Sequence, residues 1–230
     1  MHSSDLGVLL YFLGSVMDEI MQDLPAANEL ERTNQLFEYI CDEYHASDTP
    51  TRLTKLITEM FKGKAGHFPC LKSKAAVAHQ LLFVMHRVCK KLDNGSDLHA
   101  HRLECFSHYT EMYAIFRNND ILLERDQALR AMECYDTFLE HYVWLLHHNL
   151  DNEKLRYPVV TKFHMMWHIV HISRYINPRF CWAYEFEDAM NTLVLAAKAS
   201  LAGSPMKLIG NKVLENVYAV FGLEMKSAAV

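Results

Sequence analysis

Glycine and proline are scarce in this chain, 8 and 6 in 230 residues, and the segments between them space apolar side chains by three and four instead of alternating them. A helix brings i, i+3 and i+4 onto one face while a strand alternates faces, so this spacing argues for helix nearly throughout. The sequence predicts an all-α fold, a single globular bundle of about eight or nine helices. The first covers about 4–23, with Leu6, Leu9, Leu10, Leu13, Val16 and Met17 on one face, and the second about 27–44. A third is expected over 49–62, with Thr49 as its N-cap and Pro50 in its first turn. Others are expected at about 70–92, 98–117, 122–149, 159–175, 181–201 and 206–221, separated by "DNGSD", Asn118-Asn119-Asp120, a polar stretch ending in Pro158, Asn177-Pro178 and Gly203-Ser204-Pro205. No linker divides the chain cleanly. The best boundary lies at 150–158, giving a helical region 1–157 and a histidine- and aromatic-rich part 158–230 packed on it.

Half the residues are apolar, enough for a sizeable core, and Lys+Arg number 23 against Asp+Glu 28, a net charge of -5. The chain as a whole therefore lacks the positive field of a protein that grips nucleic acid by itself, and any such contact has to be local. Lys62, Lys64, Lys72 and Lys74, with Lys90-Lys91, are the candidates for one basic edge, although lysines scattered over solvated faces read the same way. The six cysteines are far apart with no C-x-x-C pair, which points to reduced, buried thiols. The most apolar early stretch, "LGVLLYFLGSVM", falls short of the roughly 18 to 20 residues of a membrane span, and the N-terminus has no basic start or cleavage site. An intracellular protein, nuclear or cytoplasmic and without a membrane partner, is expected.

Fourteen histidines are more than ordinary usage provides. In "KFHMMWHIVHISRYI", His164, His168 and His171 fall at i, i+4 and i+7 on one helix face. Two histidines four apart can share a metal, but Met165, Met166 and Trp167 replace the carboxylate that H-E-x-x-H zinc sites carry. Histidines bonded to carboxylates or backbone carbonyls in a helix seam are the simpler reading. His99 and His101 face different ways on one helix, neighbouring His147 and His148 cannot share a centre, and His79 with His86 reads as a core or groove edge. In "YEFEDAM", Glu185, Glu187 and Asp188 come after Trp182 and Tyr184, and a carboxylate among aromatics gains affinity for a proton or a divalent ion. A polar helix face beginning at that point explains the same residues. Met165, Met166 and Met190 are read as core fillers. No P-loop, G-x-S-x-G or G-x-G-x-x-G motif is present.

"KFHMMWH", "NPRFCWAY" and "FEDAM" together resemble the end of a CACTA-type transposase or a related transposon-encoded protein, in which K-x-H-x-x-x-H is succeeded by a proline and then W-x-Y-x-x-E. The matched residues are Lys162, His164, His168, Pro178, Trp182, Tyr184 and Glu187. "TRLTKLITEMFKGKAGHFPCLKSKAAVAHQ" and "MHSSDLGVLLYFLGSV" resemble two further stretches of that family, the second being the segment just after its second aspartate. The resemblance implies an RNase H-like enzyme in which two aspartates on strands and a glutamate on a later helix hold two divalent ions for attack on a phosphodiester. It makes Glu187 the third carboxylate, with His164, His168, Trp182, Tyr184 and Asp188 supporting it, and residues 3 to about 160 a helical insertion. The aspartate strands would lie upstream of Met1, and one glutamate supplies too few oxygens for Mg²⁺. The implied protein is a transposase-derived helical chain, not catalytic alone and holding no cofactor in isolation, with Mg²⁺ needed only in a complete site. Its contacts would be with DNA, a protein partner or a second copy. Two other readings stand beside it: a helical interaction module, and a metal-binding protein using His164 and His168 with a carboxylate such as Glu187.

Overall fold

The computed structural model describes residues 3–181, apart from positions 48, 50, 64 and 65, and beyond them only 194, 195, 198–200, 211, 212 and 215. The chain divides into two compact units, Met1–Cys181 and Trp182–Val230. The first is an all-α bundle, with no strand among the described residues.

A π-helical turn, Ser4–Val8, leads into α1 (Leu9–Asp23). Residues of α1 are apolar on every side, and Leu9, Phe12, Leu13, Val16, Met17, Ile20 and Met21 are all buried, which makes α1 the central helix. Around it lie α2 (Glu29–Ala46), α3 (Ala75–Lys91), α4 (Asp97–Asn118), α5 (Arg125–Asp151) and α6 (Thr161–Ile172). Local chemistry sets their starts. Asn28 Oδ1 accepts from Glu31 N at 2.9 Å on α2, Ser96 Oγ accepts from His99 N on α4, and Glu124 with Gln127 forms a capping box on α5. Residues 119–124 join α4 to α5, which run antiparallel, as the pairs Cys105–Phe138 and Glu111–Arg130 require. The break at Asn177 has a function in the fold: its buried amide donates to the carbonyls of Phe116, Asn119 and Asp120 and closes the C-terminal end of α4.

Among the described residues the elements are six α-helices, the π turn and two 3₁₀ turns, against the eight or nine helices expected for the chain. The segments at 181–201 and 206–221 lie largely outside the described residues, but the expected helix at 49–62 is replaced, among its described residues, by irregular chain with bends and one 3₁₀ turn, Thr58–Met60. Thr49 does not cap a helix; its hydroxyl pairs with Ser47 Oγ at 2.8 Å. Tertiary contacts override the spacing here. Leu53 N donates to the Tyr44 hydroxyl, Cys70 N to the Phe61 carbonyl, and Leu71 N to the carbonyl of Leu10 at 2.8 Å, while Leu53, Leu56, Phe61 and Leu71 are buried. Gly14 permits that approach. A Cβ there would come within 2.7 Å of Leu71 N and 2.8 Å of Cys70 Cα, so only glycine lets Cys70 and Leu71 lie on α1.

The polar stretch before Pro158 is folded into the unit instead of linking two parts, since Arg156 and Tyr157 are buried against α1. Helix α6 packs on α5 and on the π turn. The Tyr135 hydroxyl donates to the Phe163 carbonyl and that of Tyr142 to the Pro158 carbonyl.

His86 stacks on Phe106 with rings 5.8 Å apart and nearly parallel, a groove edge of the core. Burial, aided by Lys90 and Arg87, lowers its pKa to about 4. The unfolded chain takes up this proton near 6.5, the folded chain only near 4, so stability falls as pH drops through that window. We expect His86→Phe to lose less stability than the parent between about pH 7 and about pH 5 in urea titrations. Parallel losses in the two proteins would contradict this.

Candidate functional site

Sequence reading nominated α6, and there the histidines point outward. Phe163, Met166 and Val170 form its buried face, whereas His164 and His168 are exposed, their Nε2 atoms 3.0 Å apart. His171 departs from the expected trio: its Nδ1 lies 2.9 Å from the Trp167 carbonyl, with the two rings stacked. Met166 fills the core as expected, but Met165 is half exposed. Lys162 turns inward and donates from Nζ to the Leu6 carbonyl at 2.6 Å. Trp182, Tyr184, Glu185, Glu187, Asp188 and Met190 lie outside the described residues.

The candidate basic edge is partly neutralised. Lys62 pairs with Glu29 at 2.8 Å, Lys72 donates to the Glu59 carbonyl, and Lys91 binds the buried Glu43 at 2.5 Å together with Arg87. Lys74 is exposed just before α3, and Lys64 lies outside the described residues.

Two clusters that sequence reading did not assemble are better built. The first is a buried ionic network. Asp18 and Glu19 end the apolar run of α1, yet they are only 5% and 2% exposed. Glu19 Oε2 accepts from Arg102 Nη1 of α4 at 3.0 Å and from the Tyr157 hydroxyl at 2.7 Å, and its Oε1 accepts from Asn149 Nδ2 of α5. Arg156 donates from Nε to Asp18 at 2.7 Å and from Nη1 to Asn149 Oδ1. Two carboxylates face two guanidiniums, with amide and phenol adding hydrogen bonds, so each buried charge has an opposite charge beside it, while Arg102 Nε is left without a hydrogen-bond partner among the described residues. The network also holds Tyr157 at φ 56°, a conformation unusual for an aromatic residue, because its N–H donates to Ser15 Oγ and its hydroxyl to Glu19.

The second cluster is on the outer face of the α4–α5 pair. His101, Glu104 and His108 recur at i, i+3 and i+7 on α4, and His141, Trp144 and His148 do so on α5. The antiparallel register brings the two rows together. His101 Nδ1 lies 2.7 Å from His141 Nδ1, His101 stacks on Trp144 at 3.8 Å, and Trp144 stacks in turn on His148. Glu104 Oε2 is 3.4 Å from His108 Nε2, and ligand atoms of Glu104, His108 and His141 all lie within 4.8 Å of one another. His108, Glu111 and Cys134 make a second such set. Glu111, however, is held by Arg130 through two hydrogen bonds of 2.7 and 2.8 Å, and burial with the nearby Glu111 charge pushes the Cys134 thiol up to about 12. Among the described residues these are the groups of three or more with metal-ligand spacing, and His164 and His168 belong to neither. The described cysteines are free thiols, of which Cys89, Cys105 and Cys134 are buried.

No helix of the described residues is long and apolar enough to cross a membrane. Compared with known families, curated proteins and solved structures, the chain finds no match.

Proposed function

We propose that this chain is a transposase-derived helical protein whose first unit corresponds to the helical insertion of a CACTA-type enzyme, acting through DNA or protein contacts and not catalytic by itself. The observation that supports it is how the unit's two ends meet. An insertion between a strand and a later helix of a catalytic core has to leave and return at neighbouring points. Here the Ser4–Val8 turn packs on α6, and Lys162, the first residue of the resembling motif, reaches the Leu6 carbonyl at 2.6 Å. Glu187 would be the remaining carboxylate of a site that holds Mg²⁺ only when two aspartates join it.

Purified chain given Mg²⁺ or Mn²⁺ is expected to leave DNA unnicked. Nicking or strand transfer that Glu187→Ala abolishes would overturn the non-catalytic reading. Genomic DNA read in frame upstream of Met1 is expected to encode an aspartate-bearing strand, and its absence would count against the insertion. Any DNA affinity of the chain should weaken steeply with salt, because phosphate contacts release counterions. Affinity unchanged between low and moderate salt contradicts contacts of that kind.

A second reading, a helical interaction module, draws on exposed apolar residues beside one cleft. Leu122 and Leu129 are 68% and 50% exposed, and Leu129 lines the cleft with Leu123, Ala128 and Met132. Self-association that Leu129→Lys abolishes in sedimentation would favour this reading.

A further inference from the structure

We propose that the outer face of α4 and α5 is a binding site for a divalent transition metal, with Glu104, His108 and His141 as ligands and His101 as the residue that orients His141. This stands apart from the transposase-derived reading, since none of the four residues belongs to the matched motif.

The donor set selects the class of ion. Imidazoles with one carboxylate suit Zn²⁺ and its first-row neighbours, whereas Mg²⁺ and Ca²⁺ prefer all-oxygen shells. Three protein ligands leave a fourth position for water or a substrate atom, the pattern of open zinc sites.

The geometry needs little adjustment. Bonds of 2.0–2.1 Å in a tetrahedral shell put ligand atoms roughly 3.3 Å apart. The present atoms lie within 4.8 Å of one another, and Glu104, on an exposed and flexible stem, can close the remainder by changing rotamer. The histidines are already confined. Both stand on long helices locked in antiparallel register, and the His108 and His141 rings lie nearly parallel at 6.3 Å. His101 contacts His141 through the 2.7 Å Nδ1 pair and is itself clamped on Trp144 at 3.8 Å. A ligand histidine whose ring is steered by a further hydrogen-bonding side chain, itself fixed by packing, is how metal sites gain their orientation.

One further detail fits. His108 Nδ1 is buried and has no hydrogen-bond partner, so this ring is not tied into another network that would hold it away from an ion. The neighbouring set with Glu111 and Cys134 is the weaker alternative, because Arg130 already holds its carboxylate through two hydrogen bonds.

The test uses the full chain purified without a histidine tag. Calorimetric titration with Zn²⁺ is expected to give one ion per chain, and Co²⁺ in its place should give the intense visible bands of a tetrahedral nitrogen–oxygen shell. His141→Gln and His108→Gln should each weaken Zn²⁺ binding by well over tenfold, Glu104→Gln by about tenfold or more, and His101→Gln by about 10- to 100-fold while the one-to-one stoichiometry persists. Glu104 is exposed, so its variant keeps the test decisive even if a histidine variant folds poorly. The double variant His164→Gln/His168→Gln should bind as the parent does. Stoichiometry near zero overturns the proposal. So does Zn²⁺ affinity unaffected by Glu104→Gln and His141→Gln but lost with the α6 double variant, which would move the site to α6.

Discussion

Glu19→Ala is expected to destabilise the first unit by about 3–5 kcal/mol, read as a drop in the urea midpoint at unchanged slope. The side chain accepts from Arg102, Asn149 and Tyr157 at once, and its Oε1 lies 3.6 Å from Arg156 Nη1. Removing it leaves the guanidinium of Arg102, which is fully buried, without its carboxylate, and among the described residues the other polar side chain bonded to it is His99. Arg156 keeps Asp18, so the loss falls mainly on Arg102. An uncompensated buried cation is far more damaging than the pair was stabilising, which gives a second arm to the experiment. Glu19→Leu combined with Arg102→Leu should recover much of the loss, because it removes both charges and fills the space. A loss under about 1 kcal/mol for Glu19→Ala would sink the network as described.

Phe12→Ala should cost a similar amount, about 3–5 kcal/mol, for a different reason. Its ring is fully buried, with Phe106 at 4.7 Å, Phe138 at 5.6 Å and Tyr142 at 6.2 Å, so it joins α1 to α4 and α5. Truncation removes the apolar contact and leaves a cavity that three aromatics on two rigid helices cannot close. Phe12→Leu keeps most of the volume and is expected to cost less than about 1.5 kcal/mol. If alanine and leucine proved equally damaging, the cavity would not be the cause.

These two residues mark how far sequence reading reached. Phe12 stands in the apolar run "LGVLLYFLGSVM", but the expected apolar face, Leu6, Leu9, Leu10, Leu13, Val16 and Met17, did not include it, and its burial comes from the central place of α1. Asp18 and Glu19 read only as the polar end of the run, since their partner Arg156 lies 138 residues from Asp18 and no local spacing points to it. Helices α2, α4, α5 and α6 fall within a few residues of their expected spans, because caps, breakers and three-four spacing are local signals. At 49–62 the same spacing misled. Leu53 and Leu56 are buried in irregular chain, with Leu53 N held by the Tyr44 hydroxyl on α2.

The histidines divide the same way. His164 and His168 meet because residues four apart on a helix are neighbours, so their 3.0 Å approach was readable from "HMMWH". His101 and His141 meet across two helices. Within each helix the rows His101, Glu104, His108 and His141, Trp144, His148 are visible as i, i+3, i+7, and that was the available signal.

By itself the sequence determined that this chain is helical, where most helices start and stop, and which faces are apolar, because helix periodicity and capping act over four residues or fewer. Tertiary structure decided which charges go inside, that one apolar segment is not helical, and which histidines meet across helices. Those outcomes depend on the register between helices, set by interlocking rings such as Phe12, Phe106 and Phe138, and that register has no local signature in the chain.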